Sequence, residues 1–136
     1  MITKSITYID FNGNERTDEC LFNFSESELM EMEMSTSGGL ANMLTRIIQA
    51  QDAPAIMENF KKIILKAYGE KSPDGKRFEK SEAISTAFSQ TGAYDKLFME
   101  LVTDTKKASD FINALIPKKV EATAQPAPTV VPSAVN

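Results

Sequence analysis

The sequence predicts an α+β fold, mostly α: an N-terminal β-hairpin, a compact bundle of about five or six short helices, and a disordered C-terminal tail. Three observations carry this. Apolar Ile2, Ile6 and Tyr8 alternate with polar Thr3, Ser5 and Thr7 ahead of an Asn12-Gly13 pair. Four later segments repeat apolar residues at steps of three and four. Beyond Pro117 that periodicity stops and small residues, Pro and Val take over. At 136 residues the chain is long enough for one domain with a core and too short for two.

The alternation at the start has the period of a half-buried strand. Asn12-Gly13 supplies the positive-φ residues of a tight turn. The return strand then places Cys20, Phe22 and Phe24 on one face, with Asn23 beside Leu21 on a solvated face. Ser25 followed by Glu28 fits a capping box and opens a helix. The next residues, Leu29 to Met34, alternate Met with Glu and have strand-like period. The cap and the helix propensity of Met, Glu and Leu decide for a short helix, which Gly38-Gly39 ends.

Each of the four stripes that follow makes one buried helical face. The first is Leu40, Met43, Leu44, Ile47 and Ile48. The second is Ile56, Phe60, Ile63, Ile64 and Ala67, with Pro54 near its first turn. The third is Tyr94, Leu97, Phe98, Leu101 and Val102; the fourth is Ala108, Phe111, Ile112, Leu115 and Ile116, stopped by Pro117. Between the second and third, Gly69 and Ser72-Pro73-Asp74-Gly75 read as a small hairpin or ordered loop. Ser81 then opens a short helix holding Ile84, Ala87 and Phe88. The polar positions differ between stripes, so these are not internal repeats. Residues 1–117 are expected to form the domain, and 118–136 a flexible Pro/Ala/Val-rich tail.

Composition narrows the function. Hydrophobic residues make up 42% and charged residues 25%, close to globular averages. No stretch is long and apolar enough to cross a bilayer, and the first residues lack the apolar block of a signal peptide. The expected location is therefore the cytosol, without membrane contact. Cys20 is the single cysteine, so no intrachain disulfide forms. The chain has no His, which removes the commonest general base and transition-metal ligand. A net charge of −4 argues against nucleic acid as a partner. Charge is uneven along the chain: residues 17–60 hold eight acids against Arg46, and residues 61–80 hold seven bases against three acids. Solvated faces account for both runs, and head-to-tail contact between copies is the alternative.

Individual motifs for chemistry fail on their own requirements. Gly69 to Arg77 resembles a phosphate loop, but its spacing is one residue too long and Arg77 stands where Ser or Thr must hold a metal. Asp10, Asn12 and Asn14 fall at the first ligand positions of a calcium loop, yet Glu15 takes the Gly position and Leu21 the closing Glu. Turn chemistry explains them better. Cys20 lacks a base and reads as a buried strand cysteine. Glu26, Glu28, Glu31 and Glu33 cannot all converge from one helix, so they read as solvated charges. No catalytic residue, metal or cofactor is expected.

One feature points to binding. Met30, Met32 and Met34, with Met43 and Met57 nearby, concentrate flexible thioethers that can repack around varied partners. A helix so short cannot bury all three, so at least one is expected at the surface. Met30, Met32, Met34, Gly38 and Gly39 are therefore the candidate partner-binding residues.

A resemblance sharpens this. The run Ala67-Tyr68-Gly69-Glu70-Lys71-Ser72-Pro73-Asp74-Gly75-Lys76-Arg77-Phe78 is one part of it, with Lys80-Ser81, Ala87-Phe88-Ser89-Gln90-Thr91 and Ala93-Tyr94. Leu97 to Leu101, Phe111-Ile112-Asn113 and Tyr8 to Glu15 complete it. Together, over about residues 4 to 117, they resemble tail assembly chaperones of long-tailed, siphovirus-like bacteriophages. The resemblance implies a non-enzymatic protein of the host cell cytoplasm. It would bind the helical tape-measure protein and keep it soluble while tail-tube subunits polymerise. Contact with those subunits and a homo-oligomer are further expectations. The resemblance carries no functional motif to place residue by residue. The alternative is a structural or adaptor protein of the tail or head-tail connector.

Overall fold

A computed structural model describes residues 1–116. The expected tail and the stop at Pro117 lie outside the described residues. Strands β1 (Ile2–Ile9) and β2 (Glu15–Phe22) form the expected hairpin, with Ile2 opposite Phe22 and Ile9 opposite Glu15. Its inner face carries Ile2, Lys4, Ile6 and Tyr8 against Phe22, Cys20, Asp18 and Arg16; Thr3, Ser5 and Thr7 face out. The turn is longer than Asn12-Gly13 predicts. Five residues separate the strands, and of the pair only Gly13 has positive φ. The Asp10 carboxylate accepts the amides of Asn12 and Asn14, each at 2.9 Å, and so replaces a two-residue turn.

Helix α1 (Glu26–Ser35) starts at the predicted Ser25 cap. It ends at Thr36, before Gly38-Gly39, which belong to the entry of α2 (Leu40–Gln49). Helix α3 (Ala53–Ala67) has Pro in its first turn, where its missing N–H costs nothing. Helices α4 (Glu82–Ser89), α5 (Gly92–Thr103) and α6 (Thr105–Leu115) open on Ser81, Thr91 and Asp104, whose side chains accept first-turn amides. The four stripes lie along α2, α3, α5 and α6 as their spacing requires. In α4, Phe88 is buried while Ala87 stays exposed.

The sheet extends beyond the N-terminal hairpin. Strands β3 (Tyr68–Lys71) and β4 (Phe78–Glu79) form the small hairpin of the Pro-Gly segment, and β3 pairs with β2 through Leu21 opposite Gly69. The result is a four-stranded antiparallel sheet in the order β1-β2-β3-β4. Gly69 is fixed by close approach: a Cβ there would come 2.5 Å from Phe78 and 2.8 Å from the Glu79 carbonyl. Ser72, buried in the connecting turn, accepts the Arg77 amide at 3.0 Å and donates to Asp74 at 2.7 Å. The turn therefore closes on itself, and the segment joins strand to strand where a phosphate loop joins strand to helix.

Sheet and helices meet at Phe22, which is fully buried. Its ring lies edge-on to Tyr68 of β3 at 5.7 Å, Phe88 of α4 at 5.9 Å and Phe111 of α6 at 5.6 Å. Tyr68 stacks on Phe88 at 3.9 Å, and Tyr94 and Phe98 extend the cluster along α5. Edge-on pairs of this kind add about 0.5–1.5 kcal/mol beyond area burial. Phe22→Ala is expected to cost about 3–5 kcal/mol. It should lower the urea midpoint with the slope unchanged, and a loss under 1 kcal/mol, about what a surface change costs, would show that the cluster does not organise the core.

Candidate functional site

Helix α1 is attached chiefly through its ends. At the start, the Ser25 hydroxyl accepts the Glu28 amide at 3.2 Å and the Glu28 carboxylate accepts the Ser25 amide at 2.8 Å. That carboxylate also takes two hydrogen bonds from Lys80, both at 3.0 Å. The Lys80 ammonium lies 5.0 Å from the centre of the Phe24 ring, a cation–π distance. Along its length, α1 buries Leu29 alone. At its end, the Glu33 carboxylate accepts the Leu40 amide at 3.0 Å and so caps α2 from outside that helix.

The candidate residues lie on and just after this helix. Met30 and Met34, one turn apart, are 61% and 82% exposed. Met32 points the other way and packs against the core. Gly38 and Gly39 both have positive φ, and Gly39 is the N-cap of α2. A Cβ on Gly39 would crowd the Glu33 carboxylate, the movable end of a flexible side chain. It is the backbone conformation that demands glycine there. Glu28 and Glu33 are not simply solvated charges as their spacing suggests; one lies at a cap and the other faces the next helix N-terminus.

A second surface escapes sequence reasoning. Among the described residues strand β1 is an edge of the sheet, and beside it α5 leaves an open groove of about 630 Å³. Tyr8 and Ile9 line one side, and Asp95, Lys96, Met99, Glu100 and Lys107 line the other, with Glu100 paired to Lys107. Ile9 is 63% exposed, and Phe11, in the nearby turn, is 90% exposed. The one signal was Phe11 itself, an aromatic among turn residues that no core can reach.

The remaining candidates are structural. Asp10 accepts two amides and pairs with Arg16 at 3.4 Å; the Asn14 amide foremost holds its carboxyl below the usual range. Burial pushes the Cys20 thiol up to about 11, so it is protonated at neutral pH. Among the described residues no group of three or more His, Cys, Asp or Glu is placed to hold a metal ion. No helix among them is long and apolar enough to cross a membrane.

The α1 anchor titrates. Burial works to raise the Glu28 pKa, but the Ser25 amide and the Lys80 ammonium outweigh it, and the net shift is downward. A carboxylate with a depressed folded pKa stabilises fully above its unfolded value and loses that contribution as pH falls through the folded one. Amide exchange in α1 should therefore accelerate relative to α3 on acidification below the ordinary glutamate range. In Glu28→Gln the relative exchange should be fast already at neutral pH and lack this step. An identical acid step in the variant would assign it to another group.

Comparison with known proteins adds the family. A family model described as phage tail assembly chaperone matches residues 1–134. No curated protein and no solved structure matches the chain. With nearly its whole length matched, the chain belongs to the phage tail assembly chaperones.

Proposed function

We propose that this chaperone binds the tape-measure protein and keeps it soluble during tail assembly, without enzymatic chemistry, in the host cell cytoplasm. The observation that carries the reading is the exposure of Met30 and Met34 on one face of α1. Thioethers adapt to irregular apolar surfaces, as a binder of a long client with many similar helical segments requires. Many weak contacts along such a client add up by avidity. Residues 1–117 are the binding unit in this reading. Met30 and Met34 make the contact, Met32 holds the helix to the body, and Gly38-Gly39 set its angle to α2.

The test is co-expression of the tape-measure protein with the full chain carrying Met30→Ser and Met34→Ser. Both positions are exposed, so the fold should be unchanged by circular dichroism and stability within about 0.5 kcal/mol of the parent. The client should move to the insoluble fraction. Undiminished client solubility would remove α1 as the binding face.

A further inference from the structure

We infer that two copies of this chain pair through the edge that β1 forms among the described residues, antiparallel about a two-fold axis at Ile6, with Lys4 of each copy held by Asp95 of the other. The edge is suited to pairing. The Asp10 amide donates to the Asn14 carbonyl at 2.8 Å, which fixes the alternation along the hairpin. Even-numbered residues of β1 then bond to β2, and Thr3, Ser5 and Thr7 turn their amides and carbonyls to the open edge, while the Ile9 carbonyl lies against Gly92 at the start of α5. The strand is eight residues long, without Pro. Such an edge is a template for another strand.

Charge selects the occupant. Lys4 lies on the inner face of β1, half-buried, and makes no ion pair among the described residues. An inward-facing lysine on an edge strand excludes neighbours that cannot neutralise it. Asp95, in the groove beside β1, also lacks an ion pair among those residues. With the axis at Ile6, Lys4 of the second copy stands opposite Tyr8, which lines the same groove as Asp95. Symmetry makes the contact twice. The same register sets Thr3 opposite Ile9 and brings exposed Phe11 alongside exposed Met1 of the other copy. A second copy therefore satisfies the edge, the lysine and the exposed apolar side chains together.

Analytical ultracentrifugation of the full chain over a wide concentration range tests this. The expected result is reversible growth to twice the 15.0 kDa mass. Lys4→Glu and Asp95→Lys should each weaken the dimer at least ~10-fold by setting like charges face to face. The double variant Lys4→Glu/Asp95→Lys should restore it. Ser5→Pro removes an amide that points away from β2, so it should keep the fold by circular dichroism and abolish the dimer. A monomer at every concentration, a dimer indifferent to folded Ser5→Pro, or a double variant no better than the single ones would each overturn the inference. Because Asp95 is on an exposed helix face, its variant remains a test if Lys4→Glu fails to fold.

Discussion

The position of Phe22 constrains the rest of the fold. A two-stranded hairpin has little stability alone in water and needs a covered apolar face. Phe22 is the last residue of β2, an internal strand, and meets aromatic rings from β3, α4 and α6 at once. Helices distant in sequence are thereby fixed to one point of the sheet. Tyr68 reinforces it, since it pairs with Phe22 across the strands and stacks on Phe88. The small hairpin after α3 is thus a continuation of the sheet, held in place by the ring that follows the helix.

Helix α1 stands largely outside that constraint. Its alternating Met and Glu spread apolar groups around the helix, and no continuous stripe forms to bind it to the body. Leu29 and Met32 hold the middle, while Glu28 and Glu33 fix the two ends by charge-assisted hydrogen bonds. A helix placed this way can display methionines without exposing the core. It buries a single residue, Leu29, and regions held by few buried contacts open at lower free energy than the core.

How much of this was legible in the sequence depends on length of pattern. The first hairpin and the helices of α2, α3, α5 and α6 each repeat their period several times, and the structure follows them. Strands β3 and β4, with four and two residues, are too short to show a period, so their addition to β2 depends on tertiary packing around Gly69. Gly38-Gly39 read as a helix stop because glycine commonly follows a helix. Here their positive φ shapes the entry to the next helix, a use that depends on Glu33 reaching it. The methionines could be found by composition, since a short helix has only one buried side. The groove beside β1 could not, because Tyr8 and Asp95 are far apart in sequence and only the docking of α5 under β1 brings them together.

Folding also changes the meaning of the charge asymmetry along the chain. Lys80, from the basic run, bonds Glu28 of the acidic run, and Lys62 pairs with Glu58 across the boundary between the runs at 3.4 Å. Arg77 is taken up by Glu79 within the basic run at 2.8 Å. Part of the contrast that would drive head-to-tail association is therefore spent inside the domain. Lys4 and Asp95 lie outside both runs and keep their charges free of ion pairs among the described residues. A closed, two-fold contact of the kind inferred at the β1 edge does not use α1 and leaves that helix clear for a client.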